Sequence, residues 1–396
     1  MARLAASARV RVIILGSISA LGSLATHMVV PVLPIIAERF GVSGASAQLV
    51  LTAYLIALAI GQIVSGPAID RLGQRRMIVA GGTIFAIGSL LCWTVSGLAL
   101  LVAARAVQAL GAACGLVAAR AIVGSAQGKG AAREMALLSA IVMLSPIFAP
   151  MLGSAVSMAL GWHAIFGLLT LVSIAATFGA ARWIFPPGPS RPASLGPMIS
   201  GWGRVIADRC FQRHLAISSM MSGGLYAFLA SAPFFLTHQF GFSQGALGVI
   251  FGTVACGAGC GALLASVLAS RLGAGGLIRL GSVVAFSGAL LQTIFALAGV
   301  GAVPIIAAMS LYALGGGLIL PNAIMRALSN MGNRVATAVS IYGAVQMAVG
   351  GIFTLLVGGF ADGGLGVTAI VILGCATVAA TLGLRSGEKD VFYNKK

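Results

Sequence analysis

Charge is what this chain has least of. Asp, Glu, Lys and Arg together make up 8% of its 396 residues, against about 25% in ordinary soluble domains, so no water-facing surface can be assembled from them. Acids are the scarcest of all. The seven are Glu38, Asp70, Glu134, Asp208, Asp362, Glu388 and Asp390, and all map to loops, helix ends or the tail. Intramembrane carboxylates are the usual proton relays, and no apolar run here contains one. Cysteine is also sparse. Of the six, Cys92, Cys114, Cys256, Cys260 and Cys375 lie in apolar runs without C-x-x-C spacing or neighbouring histidines, so they read as small packing residues and exclude a redox pair or metal site. No cofactor is expected, and with no cluster of His, Cys and acid inside the apolar runs, neither is enzyme chemistry.

What is abundant is apolar. Hydrophobic residues reach 59% and mean hydropathy +1.06, the composition of an integral membrane protein. A span needs about 20 apolar residues, and twelve such runs can be counted, the longest break between them falling at residues 186–213. The chain also repeats itself. Phe40-Gly41-Val42-Ser43 is followed by Asp70-Arg71-Leu72-Gly73, and 200 residues later Phe240-Gly241-Phe242-Ser243 is followed at the same distance by Ser270-Arg271-Leu272-Gly273. The expected fold is therefore an all-α membrane protein of twelve transmembrane helices in two pseudo-symmetric bundles of six. Residues 1–185 form the first bundle, 186–213 a linker, 214–385 the second bundle and 386–396 a tail. Duplicated halves commonly hold a substrate site between them near the bilayer midplane, which points to transport.

The net charge of +17 would suggest nucleic acid in a soluble protein. Its distribution says otherwise. With the first terminus cytoplasmic, 22 of 24 Lys and Arg fall on the cytoplasmic side, leaving only Arg39 and Arg105, so the basicity is a topology signal and no nucleic-acid partner is expected. Arg3, Arg9 and Arg11 precede an apolar run that continues through Pro31 and Pro34 to Ile36, too long for a signal peptide, so it reads as an uncleaved first span. Fifty-five glycines let helices approach closely in lipid; Gly257-Ala258-Gly259-Cys260-Gly261 and Gly315-Gly316-Gly317 are such faces. Neither follows a strand, so neither reads as a nucleotide-binding loop.

The segment between the second and third spans carries Gly66, Asp70, Arg71, Gly73, Arg75 and Arg76. Gly73 suits a tight turn, and the arginines anchor it among lipid headgroups. Asp70 either rests in a solvated loop or latches onto a facing helix N-terminus. This pattern resembles the G-x-x-x-D-R-x-G-R-R signature of the major facilitator superfamily, with Gln74 at a commonly basic position. Leu33-Pro34-Ile35-Ile36-Ala37, Arg105-Ala106-Val107-Gln108, Ala149-Pro150-Met151-Leu152-Gly153, Gly161-Trp162-His163-Ala164-Ile165-Phe166, Ser231-Ala232-Pro233-Phe234 and Pro321-Asn322-Ala323 extend the likeness over nearly the whole chain, and are similar to the bicyclomycin-resistance (Bcr/CflA) type of drug exporter. The resemblance implies that Asp70 pairs with the start of the eleventh span near Asn333 and Arg334, supported by Arg71 and Arg75. Pro150 and Gly153 resemble the fifth-span motif of exporters, in which a proline bends the helix at a moving interface.

Two ionisable residues lie well inside the apolar runs. His27 stands where relatives of this type commonly carry Asp; its unperturbed pKa of about 6.5 suits a proton carrier, and packing with a hydrogen bond to a neighbouring backbone or hydroxyl group is the other reading. Arg105, about 10 Å from the near end of the fourth span, costs at least about 2.5 kcal/mol to insert and should face a cavity with a partner, for which Gln108 is one turn away. The resemblance assigns Arg105 to proton handling or substrate contact. Met28, Arg105, Gln108, Tyr226, Phe228, Phe234, Tyr312 and Asn322 are the candidate cavity lining; most are equally good packing residues. A cavity with an arginine and no acid should favour neutral, zwitterionic or anionic ligands. The resulting expectation is a monomeric, proton-coupled exporter in the bacterial inner membrane, its partners being a small-molecule substrate, protons and the lipid bilayer. A metabolite or siderophore exporter, a proton-independent facilitator and a non-transporting receptor or scaffold remain as alternatives.

Overall fold

The computed structural model describes residues 2–124, 129–184, 202–359 and 364–385, and all regular structure among them is helical. Helix α1 (Ala2–Val29) runs through a 3-10 turn at Val30–Val32 into α2 (Leu33–Phe40), and the two make the first span. Pro31 and Pro34 sit at the starts of the turn and of α2, where the missing N–H does least harm. Then follow α3 (Gly44–Leu72), α4 (Gln74–Thr94), α5 (Leu98–Gly124), α6 (Lys129–Leu160) and α7 (His163–Trp183). The second half holds α8 (Arg209–His238), α9 (Gln244–Leu297), α10 (Ala302–Leu328), α11 (Val335–Gly358) and α12 (Gly364–Leu384). Among the described residues eleven helical stretches are long and apolar enough to cross a membrane, and α9, at 54 residues, is about 80 Å long, more than two bilayer cores. It breaks at Gly273 (φ 61°, ψ 174°) into two crossings, so the spans number twelve.

The sequence repeat is a backbone repeat. Gly41 and Gly241 both close a span at positive φ (61° and 68°), and Ser43 and Ser243 both cap the next helix, accepting from the N–H three residues on. Gly73 and Gly273 both turn the chain at positive φ (82° and 61°). Because the described crossings are even in number, the start of α1 and the end of α12 share one face, called here the proximal face; Phe40, Ser43, His238 and Gly358 mark the distal one. Asp208 caps α8 by accepting from the Phe211 N–H at 2.7 Å, so α8 begins inside the stretch expected to be linker.

Within the first half α5 packs on α3 and α4, α4 on α7, and α1 on α6; within the second, α10 packs on α9, and α8 on α11 and α12. The halves meet along α3–α11 and α6–α9. The two glycine faces noted in the sequence meet each other: a Cβ on Gly261 would stand 3.0 Å from the Gly317 Cα, and one on Gly317 would strike the Ala258 carbonyl. Such backbone-to-backbone contact is how helices adhere when lipid supplies no hydrophobic drive. Replacing Gly317 with Val should therefore lower the thermal stability of the purified protein by about 1–3 kcal/mol. Gly374→Val, on open space, should leave the melting temperature unchanged.

Candidate functional site

Arg105 is the largest fully buried side chain among the described residues, with 0% exposure. Its guanidinium lies over the Tyr54 ring of α3, 4.0 Å from the centroid, with Phe166 of α7 at 5.9 Å. Nε donates to the Val50 carbonyl at 3.3 Å and Nη1 to Gln108 Oε1 at 2.5 Å. Gln108 passes the connection on, donating through Nε2 to Ser89 Oγ in α4 at 2.7 Å. Gly88 permits this closeness, since a Cβ there would sit 2.6 Å from the Gln108 Cα. A single charge thus ties α3, α4, α5 and α7 together, spread over a ring face and charge-assisted hydrogen bonds. Nη2 is buried and has no hydrogen-bond partner. In this conformation the arginine faces the interior of the first bundle.

The same node reaches His27. The Tyr54 hydroxyl donates to the Gly22 carbonyl at 3.0 Å, and Thr26 donates to that carbonyl at 2.8 Å. One residue on, the Ser23 carbonyl lies 2.8 Å from His27 Nδ1, with Ser23 Oγ at 3.3 Å. A carbonyl only accepts, so Nδ1 carries the hydrogen and Nε2 is left as the basic nitrogen of the neutral ring. His27 is half-buried. In the sequence His27 and Arg105 stand out separately; the residue joining them, Tyr54, carries only the signal of a tyrosine inside an apolar run.

Among the described residues the second half lacks this chemistry. Gly111 and Gly81 press together in α5 and α4 as Gly315 and Gly281 do in α10 and α9, and Gly88 meets Gln108 as Gly288 meets Tyr312. In that register Met309 stands for Arg105, Tyr312 for Gln108, and by the repeat Val254 stands for Tyr54 and Ala289 for Ser89. All four substitutes are buried in the second half's apolar core.

The remaining cavity candidates separate into two groups. Met28, Phe228 and Tyr312 are fully buried: Gly153 abuts the Met28 backbone, Phe228 packs edge-on against Phe235 and Phe251 at 6.2 and 5.9 Å, and Tyr312 donates to the Met221 carbonyl at 2.9 Å. Asn322, 7% exposed, donates to the Leu318 carbonyl of its own helix at 2.8 Å. Tyr226 and Phe234 are half-buried. Tyr226 reaches across to Met347 Sδ at 3.6 Å, and Met347 packs against the cores of both halves.

The seam between halves is stitched at two levels. Toward the distal face Thr52 Oγ1 lies 2.6 Å from Thr354 Oγ1, a pair in which either hydroxyl can donate, since each also reaches a carbonyl of its own helix, Thr52 that of Gln48 at 3.2 Å and Thr354 that of Gly351 at 2.7 Å. Nearer the proximal face Ser340 donates to the Gln62 carbonyl at 2.7 Å.

Residues 15–355 match the Major Facilitator Superfamily profile. The chain belongs to the major facilitator superfamily. It is 29% identical to the uncharacterized MFS-type transporter YdgK of Bacillus subtilis (strain 168) over 87% of each chain. It is 28% identical to a chloramphenicol resistance protein of Pseudomonas aeruginosa, covering 96% of this chain and 93% of that one, and 27% identical to multidrug resistance protein D of Escherichia coli (strain K12) over 59% of each. Two solved structures share the fold. A bacterial homologue of the human lysosomal transporter Spinster superposes with TM-score 0.75 at 13% identity, covering 96% of this chain and 97% of that one; the transporter FucP gives 0.69 at 15%, covering 96% and 100%.

The superfamily's signature loop packs inside the first half. Arg75 Nη2 donates to the Ala181 carbonyl at 2.6 Å, at the negative end of the α7 dipole, while Arg71 and Arg76 are exposed. A Cβ on Gly66 would meet nothing within 4 Å, and Gly66 lines a cavity of about 160 Å³ with Trp202 and Ser340. The side chains of Asp70 and Asn333, on which the expected latch depends, lie outside the described residues. Pro150 and Gly153 sit where three spans meet: a Cβ on Gly153 would be 2.7 Å from the Met28 Cα, and one on Gly248 would be 2.9 Å from the Pro150 carbonyl oxygen. For the buried cluster, Gln108→Leu should leave Arg105 Nη1 without its acceptor and lower the stability of the purified transporter by about 2–3 kcal/mol. Tyr54→Phe, which keeps the ring under the guanidinium and loses one hydroxyl, should cost about 1 kcal/mol; comparable melting curves for the two variants would contradict this ranking.

Proposed function

We propose that this transporter is a proton-linked exporter of small neutral, zwitterionic or anionic compounds, of the Bcr/CflA type, working as a monomer by alternating access across the bacterial inner membrane. In this reading the proximal face is cytoplasmic and the two six-helix halves rock about the α3–α11 and α6–α9 seams. The observation that carries it is the run of contacts from Arg105 through Tyr54 to the turn that holds His27.

The chemistry follows from what each group can do. Nδ1 of His27 is committed to the Ser23 carbonyl, so Nε2 takes and gives up the proton. The imidazolium formed needs water or an acceptor around it, because an unsolvated charge in a bundle is costly. A moderately apolar substrate expels that water. Proton and substrate thus exclude one another, which is the condition for antiport. Arg105, held in place by Tyr54 and Gln108, keeps the neighbourhood positive and disfavours cationic cargo. Relatives bearing chloramphenicol and multidrug resistance names support a drug-sized cargo.

The test uses inside-out vesicles with an acidic lumen, a pH-reporting dye and chloramphenicol as first probe. Wild type should release protons when the compound is added, and His27→Ala should abolish the release. Release undiminished in His27→Ala would remove His27 as carrier. Transport of labelled compound without any proton movement would favour a facilitator in which His27 only caps the Ser23 carbonyl. Robust export of quaternary ammonium dyes would contradict the assigned charge preference.

A further inference from the structure

The distal seam contains a cavity of about 300 Å³ walled by both halves: α3 on one side and α8, α11 and the start of α12 on the other. That volume is at the lower end of small-molecule sites. Its chemistry is mixed. Phe235 is buried and Phe234 half-buried, giving a flat apolar wall, and Phe234 stands edge-on to the His238 ring at 6.3 Å. His238 and Gln239 are exposed at the rim. Ser231, deeper, is satisfied by the Ala227 carbonyl at 2.9 Å and by Thr368 at 2.9 Å.

Gln48 is the exception among the polar groups lining it. The residue is 3% exposed and stands between this cavity and a neighbouring one of about 300 Å³ that Thr52, Thr354 and Gly358 also line, and its Oε1 is buried without a hydrogen-bond partner. Oε1 rests against Gly358, where a Cβ would stand 2.8 Å away. A buried amide oxygen left unpaired carries an uncompensated desolvation penalty, and a carboxamide can turn to present either its oxygen or its NH₂ to an incoming group.

We propose that this cavity is a second ligand site, distinct from the His27 and Arg105 region, for a small neutral molecule with one flat apolar ring and one amide or hydroxyl group. The ring lies along Phe234, the polar group satisfies Gln48, and the rim amide of Gln239 and the His238 ring face the remaining polar edge. An occupant touches both halves, on the distal side of the Thr52–Thr354 contact. It therefore favours the conformation in which the distal face is closed, and has to leave before that face opens.

The inference does not depend on proton coupling or on flux, because it concerns binding alone. The probe is 4-fluorobenzamide, followed by fluorine NMR line broadening on the full-length transporter in lipid nanodiscs, with empty nanodiscs as the partition control. Wild type should broaden the signal saturably beyond the control. Gln48→Leu keeps the volume and removes the amide; because no protein partner is lost it should fold normally, and it should weaken binding roughly five- to tenfold. His238→Ala, at the exposed rim, should weaken binding less, and Ser266→Ala, on the exposed far part of α9, should bind as wild type does. No broadening beyond empty nanodiscs, or equal binding by wild type and Gln48→Leu, would overturn the site. Failure of proton-linked export in vesicles would leave it standing.

Discussion

Hydrocarbon offers a backbone neither a hydrogen-bond partner nor a hydrophobic reason to associate, and both halves of the structure answer to that constraint. Every described span is helical, so the peptide groups satisfy one another. Hydroxyls turn back on their own helices: Thr26 donates to Gly22, Ser65 to Gly61, Ser89 to Phe85 and Thr170 to Phe166, each to the carbonyl four residues earlier. What then holds helix to helix is contact at backbone distance. Gly81 against Gly111 and Gly281 against Gly315 build the same joint twice, and Gly257 against the Ser310 backbone and Gly261 against Gly317 extend it in the second half.

Arg105 violates the constraint and explains much of the first half's local sequence. A guanidinium inside a bundle is costly unless most of its donors are used and its charge is spread, and its own helix and three neighbours contribute to that: Val50 and Tyr54 from α3, Ser89 of α4 through Gln108 of α5, and Phe166 from α7. The planar cation over an aromatic face is an arrangement lysine reproduces poorly. Gly88 belongs to the same arrangement, since any larger residue would push Gln108 away from both its partners.

The fold was largely legible from the chain because its signals are periodic and repeated. Twelve apolar runs, the Gly41/Gly241, Ser43/Ser243 and Gly73/Gly273 correspondences and the two glycine faces all reappear as structure. The site was legible only in part. Charge inside an apolar run marks itself, so His27 and Arg105 stand out in the chain, and Gln108 as a partner of Arg105 follows from helical spacing. Tyr54 and Ser89 could not be singled out, because whether a tyrosine or serine in a span meets a cation depends on which helix faces which. Phe228, Tyr312 and Met28 illustrate the converse: amphipathic or soft side chains are the material of cavities and of cores alike, and in this conformation all three are core. Gln48 and Thr52 carried no signal at all, since their meaning lies in a seam formed by residues about 300 positions away.

The duplication is symmetric in backbone and asymmetric in chemistry, and that difference assigns the halves different physical tasks. With Met309, Tyr312, Val254 and Ala289 in place of Arg105, Gln108, Tyr54 and Ser89, the second half has exchanged a charged cluster for apolar packing at the same depth. A charge held by four helices resists any motion that would separate them, so the first half is stiffened from within at the point where His27 stands. The apolar second half has no such internal anchor and presents the aromatic and methionine surface of Tyr226, Phe234 and Met347 to the seam. Among the described residues, the side-chain hydrogen bonds across the seam are few and between neutral groups, Thr52 with Thr354 and Ser340 with the Gln62 carbonyl. Bonds of that kind are worth about 1 kcal/mol each, far below what holds either bundle together. Among the described side chains, the weakest polar contacts therefore lie between the two halves, and the strongest lie inside the first.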